Sequence, residues 1–459
     1  MKHLDIAELF KEKSGFIGKS VTVCGWVRTS RDSKNTAFLE LNDGTCFRHL
    51  QIVIDKSVIA DPARFLPLCT AVAVAGKCVP AANNPNDVEL NAEKITMLGE
   101  CPSEYPIQKK PHSLEFLRSI PHLRVRTNTF GAMFRIRSKL CEAIHRYFSE
   151  RNYTYVHTPI ITGSDCEGAG EIFKVTTVGY SGEYASEQEY YDADFFGRQA
   201  GLTVSGQLEG EVMAMAFGKI YTFGPTFRAE NSNTARHAAE FWQIEPEVAF
   251  AEIDDIIEIA AEMIKYIIRF VLDSCPAEMT FFEKFYEKGL VAKLTAVAES
   301  EFVRVDYTEA LEVLKKSGMK FQYPVEWGCD LQTEHERYLT DEVYKRPVFV
   351  VNYPKKLKSF YMKQNPDGKT VAATDLLVPG VGEIIGCSER ENDYEKLEQA
   401  ILERNMKLSD YESYLDLRKF GSVPHSGFGL GLERMLMYLT GIGNIRDTAA
   451  FPRAKGELR

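Results

Sequence analysis

Gly427-Phe428-Gly429-Leu430-Gly431-Leu432-Glu433-Arg434 is the stretch on which the reading of this chain turns. Glycine alternates with an apolar residue at a period of two, the habit of a strand, and bare glycines in a strand let a flat ligand lie close to the backbone. Leu432 through Leu439 then continues as an apolar helix. The glycines imitate a dinucleotide fingerprint, but Leu432 holds the last required glycine position and no acidic residue waits after a second strand. Gly15-Phe16-Ile17-Gly18-Lys19-Ser20 likewise imitates a P-loop, yet Lys13 stands where its first glycine belongs and a strand follows, so it reads as a turn.

A second stretch, Thr226-Phe227-Arg228-Ala229-Glu230-Asn231-Ser232, follows the strand-like Ile220-Tyr221-Thr222-Phe223-Gly224-Pro225. A rigid strand there aims the Arg228 guanidinium, whose fork suits two phosphate oxygens through parallel hydrogen bonds. Arg228 and Arg434 are thus the two cations from which the site is built.

The 459 residues exceed the usual single-domain size, so two or more domains are expected. No run of about twenty apolar residues exists to span a membrane, and the start MKHLDIAELFKEKSGF lacks the apolar core of a signal peptide, so the expectation is a cytoplasmic protein. Ten cysteines at irregular positions form no Cys-x-x-Cys pair and read as reduced, mostly buried residues rather than metal ligands. A net charge of −10 argues against indiscriminate nucleic-acid binding but leaves room for a local basic patch.

Residues 19–98 read as short strands, from Val21–Arg28 and Ala37–Leu41 through the Asn42-Asp43-Gly44 turn to Gln51–Ile54, Ala71–Val74 and Glu93–Ile95. That length and spacing fit a five-stranded barrel of the oligonucleotide-binding type. From Cys101 to Arg126 four prolines alternate with basic residues, which predicts a linker without regular structure, its cations either solvated or following an RNA backbone. The apolar spacing at 140, 141, 144, 147 and 148 predicts a helix, and 250–320 is rich in helical pattern.

Phe227-Arg228-Ala229-Glu230 and Gly427 to Arg434 resemble motifs 2 and 3 of the class II aminoacyl-tRNA synthetases. The helix from Phe134 to Phe148, the extended segment after it and Pro159 resemble motif 1, which builds the dimer interface in that family. The barrel placed before the catalytic part resembles the aspartate, asparagine and lysine subgroup. The implied fold is α+β: an N-terminal OB-type anticodon-binding barrel at 1–105, a hinge at 106–128, and a class II catalytic domain at 129–459, an antiparallel sheet flanked by helices, with a helical insertion around 250–345. The resemblance also implies a homodimer that uses ATP and Mg2+ to form an aminoacyl-adenylate and passes the aminoacyl group to a tRNA. By carry-over Arg228 binds the α-phosphate, Glu230 the adenine edge and Phe241 the adenine face, while His237 and Arg434 reach the outer phosphates. Glu383, with Asp375 behind it, holds magnesium. Positioning and charge neutralisation then supply most of the rate.

Ser164-Asp165-Cys166-Glu167-Gly168, Ser205-Gly206-Gln207-Leu208 and Gly382 to Arg390 match the subgroup, which implies Glu167 and Gln207 as contacts to the substrate amino end and Arg390 to its side-chain oxygen. An arginine alone favours aspartate. Two differences from the aspartate enzymes favour L-asparagine, and with it tRNA(Asn): Gly210 where they carry a lysine, and Glu245 where they carry an aspartate. An aspartate facing Glu245 at about 4 Å and an effective dielectric near 20 is repelled by roughly 4 kcal/mol, approaching three decades of discrimination at ~1.4 kcal/mol per tenfold. In the barrel, Phe38 is expected to stack on an anticodon base and Arg28 and Gln51 to bond its edge, with Trp26 read as core. Three alternatives remain at this point: an aspartyl enzyme that charges one or both tRNAs, an amide ligase on the same catalytic fold, which the barrel counts against, and a non-catalytic RNA-binding relative, against which the phosphate ligands count.

Overall fold

The computed structural model describes residues 2–59, 61–166, 172–179, 182–231 and 234–458, and the chain divides into two compact units, Met1–Ala132 and Met133–Arg459. In the first, β1 (Ser20–Asp32), β2 (Thr36–Asn42), β3 (Leu50–Asp55), β4 (Ala71–Ala81) and β5 (Asn84–Gly99) close a barrel in the order β1-β2-β3-β5-β4. Each strand buries alternate side chains, and Val23, Val27, Leu39, Leu41, Ile52 and Val74 fill the interior together with Ile6 and Leu9 from the helix Ile6–Lys11.

That alternation corrects the reading of Trp26. Val23, Gly25 and Val27 point inward, so Trp26 has outward parity and is 43% exposed. Phe38 and Gln51 share the outward parity on β2 and β3. Arg28 sits at a β-bulge, since Val27 opposes Leu41 while Thr29 opposes Glu40, and a bulge re-aims the extra residue. The 106–128 segment is more regular than its prolines suggest. It carries the helices Leu114–Ser119, capped by the Ser113 side chain, and Pro121–Arg124, because a proline at the first helical position needs no N–H partner.

The second unit adds β6 (Thr154–Tyr155), β7 (Ile161–Thr162), β8 (Lys174–Val175), β9 (Ala200–Leu202), β10 (Lys219–Phe227), β11 (Glu240–Ala249), β12 (Val303–Asp306), β13 (Val348–Val351), β14 (Ala373–Val378), β15 (Gly382–Glu389) and β16 (His425–Gly431). Eight of these form one sheet, in the order β12-β13-β14-β15-β16-β11-β10-β6, antiparallel except for β6/β10 and β12/β13. Strands β7, β9 and β8 form a small separate sheet. The helix Asn128–Ser149 buries Leu140, Ile144, Tyr147 and Phe148 of the face its spacing predicts, together with Ile136, while Cys141 of that set is only partly buried, and Phe148 stacks on Tyr221 of β10. The 250–320 region is helical as expected, with Ile256, Met263, Ile264, Ile267 and Ile268 of Ile253–Ser274 buried, but it also supplies the edge strand β12.

Candidate functional site

Strand β11 sets the axis of the site. Phe241, Gln243, Glu245 and Glu247 alternate along one of its faces and all line a cavity of about 350 Å³. The cavity is also lined by Gln207, Arg228, Glu230, His237, Asp375, Glu383, Arg390 and Arg434, so ten of the residues read from the sequence converge there. Glu167 lies outside the described residues. Arg28, Phe38 and Gln51 belong to the barrel unit, where Arg31 lies over the Phe38 ring at 4.7 Å and Gln51 donates to Glu89 at 2.6 Å.

The glycines of β16 divide their work. A Cβ at Gly427 would collide with the Glu247 carboxylate and one at Gly429 would meet the Gln243 amide at 2.9 Å. Gly427 is therefore bare for a neighbouring side chain rather than for a ligand, while Gly429 and Gly431 do line the cavity.

One half of the cavity is an array of opposite charges in which most pairs are loose. The Arg228 guanidinium stands 5.4 Å from the Phe241 ring, and His237 approaches Glu230 at 3.5 Å. Arg434 donates to the Glu383 backbone oxygen at 3.1 Å and approaches its carboxylate at 3.4 Å, with the two side chains 28% and 40% exposed. Lys358 holds both oxygens of Asp375, at 2.5 and 2.7 Å. Outside the lining, Glu336 accepts from the Glu383 amide at 3.3 Å, and burial and the Glu383 carboxylate push its carboxyl up to about 8, while Arg236 adds a further cation to the cavity wall.

The other half is buried and fully knit. Glu245 accepts from the Ser205 hydroxyl, from the Gly206 amide at 2.9 Å and from Thr222 at 3.2 Å. Burial pushes its carboxyl up, against these three donors. Arg390 forks onto Glu247, with its Nε at 3.1 Å, and donates to Ser388 at 2.6 Å. Behind it Glu211 accepts from Arg418 at 2.8 Å, from Tyr414 at 2.8 and 2.9 Å and from Gln207 at 3.0 Å, and meets His425 at 2.9 Å. Burial alone would push the Glu211 carboxyl up, but Arg418, His425 and Arg390 outweigh it and hold it well below the usual range. Gly210 lies on the same helix as Gln207 and Glu211, and a Cβ there would sit 3.4 Å from Glu247.

Sequence reading missed Glu211, Glu247, Arg236, Lys358, Arg418 and His425. Two of them left a signal: Glu247 continues the period-two stripe of Phe241, Gln243 and Glu245, and Glu211 lies one helical turn beyond Gln207.

With this geometry in view, the likenesses to known proteins are specific. Residues 113–455 match the family model for class II tRNA synthetases (D, K and N), and residues 21–98 match that for the OB-fold nucleic acid binding domain. The chain is 56% identical over 459 residues to an asparagine–tRNA ligase of Clostridium tetani and 54% identical over 457 residues to one of Acetivibrio thermocellus, covering 99% of itself in each case and 99% and 98% of those chains. It resembles the crystal structure of asparaginyl-tRNA synthetase from Pyrococcus horikoshii complexed with asparaginyl-adenylate at a TM-score of 0.87 and 34% identity, covering 100% of this chain and 99% of that one. A barrel matched as an OB-fold, a sheet that gathers the motif 2 and motif 3 arginines, and identity along the whole length lead to one conclusion: the chain belongs to the class II tRNA synthetases of the aspartate, lysine and asparagine group.

Proposed function

We propose that the protein activates L-asparagine with ATP to asparaginyl-adenylate and transfers the asparaginyl group to the 3′ end of tRNA(Asn). The full-length likeness to chains named asparagine–tRNA ligase carries this reading, and the cavity supplies its chemistry. The asparagine carboxylate attacks the α-phosphorus in line, pyrophosphate leaves, and the terminal 3′-hydroxyl of the tRNA then takes the acyl group from the adenylate. Arg228 neutralises the charge that builds on the α-phosphate, and Arg434 and His237 steer the outer phosphates. Phe241 carries the adenine face and Glu230 its edge.

Magnesium fits the donor chemistry. Among the described residues no cluster of three or more His, Cys, Asp or Glu is arranged to hold a metal, and magnesium commonly takes one or two carboxylates plus nucleotide phosphates. Glu383 is the carboxylate more open to the cavity, and Asp375 stands behind it under Lys358. The bound ion would neutralise phosphate charge as the leaving group departs.

At the amino-acid end, Arg390 meets the side-chain oxygen of asparagine and Glu245 its NH₂, with Gln207 and Glu167 at the α-amino group. A carboxylate has about four lone-pair sites, and the donors Ser205, Gly206 and Thr222 leave room for one amide N–H. Arg28, Phe38 and Gln51 read the anticodon on the outward face of the barrel. The exposed Trp26 extends that aromatic surface. A cytoplasmic homodimer, with motif 1 at its interface, completes the reading. Charging of purified tRNA(Asn) and tRNA(Asp) with labelled asparagine and aspartate tests it: asparagine on tRNA(Asn) is expected, and aspartate on either tRNA as the main product would overturn it.

A further inference from the structure

The barrel unit holds a side-chain cluster that aminoacylation does not use. Cys69 stands in the left-handed backbone region, φ 66°, and its amide donates at 2.8 Å to the carbonyl of Val27, the residue before Arg28. Its sulfur accepts from Arg126 Nη1 at 2.9 Å. Ala71 of β4 pairs antiparallel with Gly99 of β5 at the end of their ladder, and two residues further along each chain Cys69 and Cys101 lie at the same edge of the barrel. Cys69 and Cys101 are both partly exposed. The backbone carbonyl of Arg126 in turn accepts from the Arg28 guanidinium. Reactive cysteines sit in electropositive, partly exposed surroundings, often beside a resolving thiol, and Cys69 has all three features.

We propose that Cys69 and Cys101 form a reversible disulfide when a small disulfide such as oxidised glutathione accumulates, a modification site that resets the Arg126–Arg28 contact. The Cys69 thiol gives its proton to water and attacks one glutathione sulfur. The glutathione S–S bond breaks, one glutathione thiolate leaves, and a mixed disulfide remains on Cys69. The Cys101 thiol gives its proton to water and attacks the Cys69 sulfur, expelling the second glutathione thiolate. Two protein thiols are oxidised and one small disulfide is reduced to two thiols. Bonding to Cys101 draws the Cys69 sulfur away from its hydrogen bond with Arg126 Nη1, and the Arg126 backbone carbonyl that accepts from Arg28 shifts with it. The effect on RNA rests on the anticodon role of Arg28 proposed above.

The test treats the full-length enzyme with millimolar oxidised glutathione. Non-reducing peptide mapping is followed by tRNA charging and by ATP–pyrophosphate exchange, which needs no anticodon. A Cys69–Cys101 linked peptide is expected, with KM for tRNA raised about tenfold, as for one lost base contact, exchange unchanged, and both changes reversed by dithiothreitol. In Cys101→Ser, glutathione should remain on Cys69 and no linked peptide should form. Absence of the linked peptide with Cys69 unmodified overturns the proposal. A linked peptide with unchanged KM refutes the coupling if reduced Arg28→Ala does raise KM; if Arg28→Ala leaves KM unchanged too, the anticodon role of Arg28 has failed rather than the disulfide.

Discussion

The two ends of one cavity are built on opposite plans. At the end proposed for the nucleotide most of the charged side chains are partly exposed and their pairs loose, as in Arg434–Glu383 and His237–Glu230, with Lys358–Asp375 a closer pair behind them. At the amino-acid end Arg390, Glu247, Glu211, Arg418 and His425 are at most 4% exposed along their side chains and close onto one another. The difference follows from what each ligand brings. A triphosphate and its metal arrive with their own large charges and can complete a half-paired array, whereas a small neutral side chain has only a few hydrogen bonds to offer. Its receptor has to be fixed beforehand, because only groups already in place discriminate an amide from a carboxylate.

The largest effect should come from breaking the buried end. Glu211→Ala leaves Arg418 and His425 buried without their carboxylate and is expected to destabilise the catalytic unit by about 3–5 kcal/mol in chemical denaturation. The pH dependence has a definite sign. A carboxyl held below its ordinary value of 4.5 contributes stability that is present above that pH and is lost as pH falls through the folded value. Acid unfolding of the wild type should therefore steepen below about pH 4.5, and Glu211→Ala should flatten that loss. A variant as stable as wild type would show that the buried network holds nothing in place.

The next effect should be kinetic and confined to the other end. Arg434→Ala is expected to lower kcat for ATP–pyrophosphate exchange by about 10²–10³ with little change in stability, since its ion pair is open to solvent. Loss of stability comparable to that of Glu211→Ala would erase the contrast between the two ends.

Glu245→Gln is a smaller and more selective test. It removes the charge and turns one of the two acceptor oxygens into an NH₂ donor that faces the proposed asparagine NH₂ or the donors around it, and the preference for asparagine over aspartate in kcat/KM is expected to shrink by about tenfold or more, in line with one unpaired buried polar group of about 1–3 kcal/mol. Gly210→Lys should move selectivity the same way, because the position faces Glu247 and a cation there competes with Arg390 for it. At the bottom of the scale lies Arg146→Ala. The Arg146–Glu150 pair is exposed on a helix, and its loss should leave the midpoint of the same denaturation assay unchanged.

The same contrast explains what could be read from the residues alone. Barrel strands announce themselves by alternation, and the parity of Val23, Gly25 and Val27 already placed Trp26 outside, although its size suggested core. The stripe of Phe241, Gln243, Glu245 and Glu247 lies on a single strand, so part of the site was legible as local pattern. The partners were not. Arg390 pairs with Glu247 across 143 residues and Arg418 with Glu211 across 207, and no local periodicity carries such pairings. Family resemblance thus named most of the side chains that line the cavity, while the groups that hold them became visible only in the fold.

The account stands most directly on ATP–pyrophosphate exchange by the full-length protein, with asparagine and aspartate compared in kcat/KM. Exchange favouring asparagine by about three decades, the size of one buried charge repulsion near 4 kcal/mol, is the predicted result. Exchange with aspartate equal to or faster than with asparagine would contradict it.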